Sequence, residues 1–440
     1  MSATSFPPAR QRRWLAAIAA FGAITLAATA CSGGGTTVSS SSNGKSSTKT
    51  ASNGLAVSIT PANGSASATP GQGITVTATR GKLGSVNVTT SGDPVSGTMN
   101  SAGTVWHSTW ALDVSQSYQV TAKAQGTAAA GTSGKTLTQT SSFKTLTPSS
   151  TFSTTIFEGS GQSYGVGMPI ILYFSHPITD RAAVERAFQV TSSSPVVGSW
   201  YWENPCNMAP TCAYFRPQSY WPAHTQVSFT GHLDGVEGAP GVYGSHTLSQ
   251  SFTIGDSLIV VASTATHHME LYRNGSLLDT WPISTGRPGD NTPNGTYLTI
   301  DKGNPVRMKG PGYNELVPWS VRFTWSGDYL HDAFWSVGEQ GFTNVSHGCV
   351  NMPPADAEAY YKMEVPGDPV TVSGSPKAGT FDNGWTQWFL PWAKYVQGSA
   401  LGQAVKAGPD GSTFVSPSSV PASTATAPLG EPDPDNWNAS

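Results

Sequence analysis

Short runs of alternating hydrophobic and polar residues dominate the sequence from about residue 55 to residue 144. Examples are LAVSITP, GITVTATRG and SYQVTAKAQG, and the runs are separated by Gly, Asn, Asp and Pro. A period of two places successive side chains on opposite faces of a strand, and the intervening residues favour turns. The pattern therefore predicts a two-sheet β-sandwich over residues 55–149.

A second strand-rich unit follows over residues 150–254. Here a strand ends at Pro177 and a short helix is predicted next, with Thr179 or Asp180 as its N-cap. Both units have the size of an immunoglobulin-like sandwich. An aromatic cluster in the second unit is interpreted as core and inter-domain packing, with carbohydrate stacking as the alternative. Its members are Trp200, Tyr201, Trp202, Tyr214, Phe215, Tyr220 and Trp221.

The third unit, residues 255–375, is also β-rich. Asn274-Gly275 lies between two alternating runs and predicts a two-residue hairpin turn, and PADAEAYYKMEV predicts one short helix. A Trp-rich subdomain is expected over residues 376–405. Residues 406–440, rich in Pro, Ser, Ala and Thr, are expected to form a disordered tail. The whole chain is thus predicted to be mainly β.

The N-terminus predicts export. Three arginines precede the apolar run WLAAIAAFGAITLAATAC, which is short and ends in small residues, as in a secretory signal peptide over residues 1–31. Small residues directly before Cys31 resemble a lipobox, although Ala28 stands where Leu is usual, so we expect Cys31 to carry a lipid anchor at the cell membrane. Cleavage after Ala30, giving a secreted protein, is the alternative. Residues 32–54 are expected to be a flexible linker.

Composition argues against several functions. Only 11% of residues are charged and the formal net charge is -3, with no basic stripe, so nucleic-acid binding is not expected. His267 and His268 are adjacent on a predicted strand and would point to opposite faces, so no metal site is expected. No cofactor is predicted either.

The four cysteines have different predicted roles. Cys206 and Cys212 are close in sequence, and an export compartment permits a disulfide between them. With Cys31 as the anchor, Cys349 is left over. A free thiol in an oxidising compartment favours a catalytic role, although a buried inert cysteine remains the alternative.

Cys349 lies in SHGCVN, residues 346–351. His347 is two residues before Cys349, which on an extended segment places both side chains on one face. His331 is a second possible base, and Gly348 permits a turn that aims backbone N–H groups at a reacting carbonyl. A thiol nucleophile needs such an imidazole and such amide donors.

His331, 14 intervening residues and then SHGCVN resemble the signature of the L,D-transpeptidases, the YkuD domain family. The preceding stretch MELYRNGSLLDTWPISTGRPGDNTPNGTYLTI is similar to the opening hairpin of that family. The resemblance covers roughly residues 256–375. Two immunoglobulin-like domains before this region and a Trp-rich segment after it are similar to the mycobacterial-type members.

The resemblance implies a role for each matching residue. Cys349 would be the nucleophile and His331 the general base, oriented by the backbone carbonyl of Asp332. His347 and Gly348 would shape the oxyanion pocket, with the amides of Gly348 and Cys349 as donors. The residues expected to contact or support the substrate are Asn351, Trp335 and Ser346, together with Met308 and Tyr313 from a lid, for which ordinary loop packing is the alternative.

Asp332 departs from the family pattern, in which a small residue such as Ser often follows the first histidine. A carboxylate that points inward would favour the imidazolium, so we expect Asp332 to raise the pKa of His331.

The resemblance implies an enzyme that forms 3→3 cross-links between peptidoglycan stem peptides. Its donor would be a tetrapeptide containing meso-diaminopimelate, D-Ala would be released, and carbapenems would acylate Cys349. One alternative is an L,D-carboxypeptidase or endopeptidase that transfers the acyl group to water. The other is a non-catalytic protein that binds the cell wall.

Overall fold

The computed structural model describes residues 46–51, 54–310 and 312–420. These residues form three β-rich domains and a C-terminal segment that returns to the second domain. The predicted signal peptide, Cys31 and most of the predicted linker lie outside the described residues. No helix in the described part of the chain is long and apolar enough to cross a membrane.

The first domain is a two-sheet sandwich whose strand order is β1-β2-β3-β6-β5 in one sheet and β4-β7-β8 in the other. Alternate residues of the strands enclose a core that includes Val57, Val76 and Val120. Strand β1 lies within the predicted linker but pairs with β2, so its four residues extend the sandwich. Strands β1 to β8 are Ser47–Thr50, Ala56–Thr60, Thr75–Thr79, Gly81–Thr90, Gly97–Met99, Val105–Ser108, Ser117–Gly126 and Thr136–Lys144.

The second domain contains strands β9 to β19 and helix α1, which begins after the N-cap Asp180. Five members of the aromatic cluster are buried in its core, as predicted, among them Trp200 and Trp221 at 1% and 2% exposure. Tyr201 and Tyr220 are partly buried and pack on Tyr395 and Trp388. The strands are Ser150–Phe152, Thr154–Ile156, Ser163–Tyr164, Ile170–Phe174, Phe188–Ser192, Val196–Glu203, Thr211–Pro217, Gln226–Gly231, Glu237–Ala239, Val242–Gly244 and Leu248–Ile254, and α1 is Arg181–Arg186.

The third domain has one sheet of order β22-β21-β20-β30-β23, a second of order β24-β27-β28-β29 and a separate hairpin, β25-β26. Asn274 and Gly275 both have positive φ at the turn between β21 and β22, as the hairpin prediction requires. Strands β20 to β30 are Leu258–Ser263, His268–Arg273, Ser276–Pro282, Gly295–Leu298, Asp301–Gly303, Val306–Gly310, Tyr313–Val317, Ser320–Arg322, Tyr329–Asp332, Val350–Met352 and Pro369–Ser373, and the predicted helix is α2, Pro354–Met363.

Residues 406–420 correct the first part of the predicted disordered tail, whereas residues 421–440 lie outside the described residues. After α3 (Trp392–Tyr395), strands β31 (Ala404–Gly408) and β32 (Gly411–Val415) form a hairpin, and β31 pairs with β14 of the second domain. Val405 is buried at this junction. The composition of the segment suggested disorder, but the sheet edge of the second domain gives its backbone hydrogen-bond partners.

Candidate active site

The loop around Cys349 is held between two neighbouring segments. On one side, strand β29 runs parallel to β28, with Asn351 beside His331. On the other side, Ser284 and Asn351 exchange backbone hydrogen bonds of 3.0 and 2.8 Å, and the Ser346 N–H donates to the oxygen of Thr285 at 3.0 Å. These contacts bring residues that are far apart in the sequence around the thiol.

His331 is buried and oriented by the backbone. Its Nδ1–H donates to the carbonyl oxygen of Asp332 at 2.8 Å, which leaves Nε2 as the acceptor nitrogen. Burial lowers the pKa of His331 to about 4, so the imidazole is neutral at neutral pH. The ring of Trp335 stacks on it at a centroid distance of 5.9 Å. The arrangement is that of a neutral general base.

Cys349 is a protonated thiol in this environment. Its S–H points to the carbonyl oxygen of Gly327, 3.8 Å from Sγ. Burial and, to a smaller extent, the Asp328 carboxylate together raise the pKa of the thiol to about 12, against the opposing effect of a hydrogen bond from the Tyr329 backbone. A thiol of this kind needs a base to become nucleophilic.

Ser346 braces the loop and is not placed as a nucleophile. Its hydroxyl donates to the carbonyl oxygen of Cys349 at 2.6 Å and accepts from the N–H of Gly348 at 3.1 Å. The Gly348 amide is therefore occupied, which corrects its predicted role as an oxyanion donor. The Cys349 amide has no hydrogen-bond partner within residues 46–51, 54–310 and 312–420.

Gly348 is required at its position for two reasons. Its φ is +129°, a conformation that favours glycine. A Cβ atom there would also lie 2.5 Å from Oδ1 of Asp328. The hydroxyl of Thr292 fixes the turn by donating to the Gly348 carbonyl oxygen at 2.7 Å.

The hairpin β25-β26 packs against the loop that carries Cys349. The Tyr313 ring packs against the His347 ring with centroids 4.9 Å apart, and Met308 faces the same cleft. This is where the sequence predicted a lid, and both residues named for it contribute to the cleft.

The cleft encloses about 910 Å³, including its open mouth. It brings together eight of the predicted site residues, whereas Gly348 and Asp332 do not line it. The side chain of Asn351 donates from Nδ2 to Oγ of Ser336 at 2.9 Å. The lining residues are Met308, Tyr313, Glu315, Val317, His331, Trp335, Ser336, Glu339, Val345, Ser346, His347, Cys349 and Asn351.

The expected effect of Asp332 on His331 is wrong. Only the backbone carbonyl of Asp332 acts on the imidazole, and burial lowers the pKa of His331 instead of raising it. Burial also raises the pKa of the Asp332 carboxyl, whose Oδ1 is buried without a hydrogen-bond partner in the described residues.

Sequence reasoning missed three residues that shape the site: Thr292, Asp328 and Asn344. The side chain of Asn344 accepts from the N–H and hydroxyl of Thr285 at 3.0 and 2.8 Å, and it donates to the oxygen of Thr264 at 2.8 Å. Thr292 was visible within the stretch NTPNG, but nothing in the local sequence distinguishes Asp328 or Asn344.

The three cysteines in the described residues have different states. Cys206 and Cys212 form a disulfide in the second domain, and Cys349 is a free thiol. Over the described ranges, no group of three or more His, Cys, Asp or Glu residues is arranged to hold a metal ion.

Comparison with known proteins adds two family matches. A family described as L,D-transpeptidase catalytic domain matches residues 257–372, and one described as bacterial Ig domain matches residues 65–237, across both predicted sandwiches.

Individual relatives extend this similarity over most of the chain. L,D-transpeptidase 2 of Mycobacterium tuberculosis is 33% identical over 341 residues, which are 74% of this chain and 80% of the relative. L,D-transpeptidase 1 of the same species is 35% identical over 230 residues, 50% of this chain and 84% of the relative. A solved structure of LD transpeptidase LdtMt1 in complex with imipenem is 35% identical, with a TM-score of 0.42, covering 50% of this chain and 97% of that one.

Proposed function

This chain belongs to the L,D-transpeptidase family, and from that premise we propose that it forms 3→3 cross-links in peptidoglycan through an acyl-enzyme at Cys349. The observation that carries the proposal is the pairing of a free thiol with a neutral, backbone-oriented imidazole in one cleft. The donor is a tetrapeptide stem containing meso-diaminopimelate.

In the acylation step, Nε2 of His331 takes the proton of the Cys349 thiol while sulfur attacks the carbonyl of the third stem residue. The tetrahedral intermediate collapses with cleavage of the bond to D-Ala. The proton on His331 passes to the departing amine, and a thioester remains. The low pKa of His331 makes its imidazolium a strong acid, which favours this second transfer.

The N–H of Cys349 is the amide that we propose as an oxyanion donor, because the N–H of Gly348 is already bound to Ser346. His347 is held by the Tyr313 ring at the cleft, where it can add a second donor. Met308, Tyr313 and Trp335 provide apolar surface for the stem, and Asn351 supports the wall of the cleft through Ser336.

In the second step an amine of another stem attacks the thioester, the carbon–sulfur bond breaks and the thiol is restored. Transfer to water in the same cleft would make the protein an L,D-carboxypeptidase, and this is the competing function. A purely wall-binding role is disfavoured because the thiol and its base lie in the same cleft.

The proposal extends to inhibition and location. The strained ring of a carbapenem presents a reactive carbonyl that Cys349 could attack in the same cleft, as expected for a relative of the enzyme solved with imipenem. The protein would act outside the cytoplasmic membrane, attached through Cys31 if that residue is lipidated.

Product analysis tests the proposed function. The exported part of the chain, wild type beside Cys349→Ala, is incubated with a disaccharide tetrapeptide containing meso-diaminopimelate. Mass spectrometry should show dimers that lack one D-Ala with the wild type only. Tripeptide without dimer would instead assign a carboxypeptidase, and no change in the substrate would leave the wall-binding alternative.

A further inference from the structure

A carboxylate lies beside the thiol, outside the residues that line the cleft. Asp328 precedes β28 at the end of a tight turn, in which the Phe323 N–H donates to the Asp328 carbonyl oxygen at 3.1 Å. Asn383 of the C-terminal segment holds the same turn by accepting from the Ser326 N–H at 2.8 Å. The position of Asp328 is therefore fixed both by its own turn and by the C-terminal segment.

The two oxygens of this carboxylate have different surroundings. Oδ2 accepts from the hydroxyl of Thr324 at 2.8 Å and from that of Ser326 at 3.2 Å. Oδ1 has no hydrogen-bond partner among the described residues, and it faces Gly348, where an added Cβ would lie 2.5 Å away. One oxygen is thus anchored and the other is directed to the loop that carries the thiol.

The turn surrounds Cys349 on this side. The Gly327 carbonyl oxygen is 3.8 Å from Sγ, and the backbone of Tyr329 hydrogen-bonds to the sulfur. The negative charge of Asp328 contributes to the raised pKa of the Cys349 thiol and to that of Tyr313 in the hairpin β25-β26.

In the second step of the proposed mechanism, the incoming amine must lose two protons. An alkylamine has a conjugate-acid pKa of about 10.4, so at neutral pH it arrives as an ammonium. It must lose one proton before it can attack and a second as the new amide forms. His331 can accept one of these, so the proposed mechanism lacks an acceptor for the other.

We propose that Asp328 selects an amine acceptor: its free Oδ1 binds the incoming ammonium beside the thioester and takes the first proton. The amine nitrogen then attacks the thioester carbonyl and His331 takes the second proton. As the carbon–sulfur bond breaks, the sulfur receives that proton from His331, and Asp328 releases its own to solvent after the product leaves. Water carries no charge, so it gains nothing from this carboxylate. The inference rests on the proposed function and concerns its acceptor.

The groups around Asp328 are compatible with this role. Burial raises the pKa of its carboxyl, which makes it a better proton acceptor, while Lys377 and Arg322 act in the opposite direction. Tyr297 and Tyr313 also lie within reach of this charge: burial raises the pKa of both phenols, and the Asp328 carboxylate adds to the shift. Among the described residues, Asp328 is the carboxylate that acts on the Cys349 thiol.

The test compares a charged and an uncharged acceptor in Asp328→Asn. With the tetrapeptide as both donor and acceptor, the ratio of dimer to tripeptide should fall about tenfold or more. With hydroxylamine, which is largely uncharged at neutral pH, the ratio of hydroxamate to tripeptide should stay close to that of the wild type. Asp290→Asn is the matched control, because its carboxylate is exposed and paired with Arg287.

Asp328→Ser is the second variant, and mass-detected acylation by imipenem checks that each variant is folded. An unchanged dimer ratio in either folded variant overturns the inference, as does an equal loss with both acceptors, which indicates a structural role. The proposed function fails separately, if the wild type itself produces no dimer.

Discussion

At the residue scale, Cys349 and His331, the pair that we propose to react, are both uncharged in this structure. Burial lowers the pKa of His331 and raises that of Cys349, so proton transfer between them in the free enzyme is unfavourable. The free protein therefore does not contain a preformed thiolate–imidazolium pair. The proposed acylation therefore requires a substrate carbonyl that accepts the sulfur as the proton leaves.

The pH dependence of thiol alkylation tests this state. Because only the thiolate reacts, the rate of Cys349 modification by iodoacetamide should rise about tenfold per pH unit from about pH 7 to about pH 9. Asp328→Asn should react faster at each pH, since it removes a charge that opposes the thiolate. A rate that is already constant at neutral pH would show a preformed thiolate.

The loss of activity at acidic pH, the acid limb of the activity profile, tests the low pKa of His331. In the proposed mechanism the neutral imidazole is the base, and it predominates above its pKa, so acylation by imipenem should persist as pH falls until it approaches about 4. An unperturbed histidine would lose this activity below about 6.5. Asp332→Ser should leave the limb in place, because only the backbone carbonyl of Asp332 contacts the ring. A shifted limb in that variant would restore a role for the carboxylate.

At the element scale, the site depends on contacts between segments without regular structure. The hydroxyl of Thr292 joins two of them, because it accepts from the Gly286 N–H and donates to the Gly348 carbonyl oxygen. The loop at Ser346 to Cys349 is also closed by its own serine hydroxyl, and the turn at Thr324 to Asp328 is closed by a hydrogen bond between those two side chains. Asn344 connects this assembly to the hairpin of β20 and β21 through Thr264 and His267.

Removal of the Asn344 side chain should loosen the whole assembly. Asn344→Ala leaves the Thr285 N–H and the Thr264 carbonyl without their partners, so the free energy of unfolding should fall by about 2 kcal/mol. Acylation by imipenem should slow as well, because the loop that carries Cys349 loses support. Thr343→Ala, an exposed neighbour, is the control for chemical denaturation and acylation rates. Equal behaviour of the two variants would contradict this role.

Local signals in the sequence were sufficient for some elements and not for others. Asn274-Gly275 predicted its hairpin and PADAEAYYKMEV predicted α2, because both structures depend on neighbouring residues. The family signature identified Cys349 and His331 as members of one cleft. The roles of Asp328 and of the Gly348 amide depend on contacts that side-chain type alone does not specify.

At the scale of the whole molecule, the second domain is completed by the end of the chain. Strand β31 joins β14, and the Arg216 guanidinium lies between Trp388 and Tyr395 at 4.3 and 4.2 Å. Composition predicted a tail there because the segment is rich in Pro, Ser, Ala and Thr, and the long-range strand partner is not visible in the local pattern. The second and third domains also share backbone bonds, including Gly167 N–H to the Gly367 oxygen at 3.1 Å.

Two substitutions on β31 test whether the C-terminal segment stabilises the second domain. Val405 is buried in the core of the second domain, so Val405→Asp should lower the free energy of unfolding by about 3 kcal/mol. Lys406 is exposed on the same strand, and Lys406→Asp should have little effect. Thermal unfolding of both variants provides the comparison. An unchanged unfolding temperature in Val405→Asp would mean that the C-terminal segment does not stabilise the second domain.

The most direct test of the central claim is intact-protein mass spectrometry during turnover with the tetrapeptide donor, followed by peptide mapping. The wild type should gain the mass of a tripeptide acyl group, located on the peptide that contains Cys349, while Cys349→Ala gains none. An acyl group on any other residue, or cross-linked dimer formed by Cys349→Ala, would contradict the account.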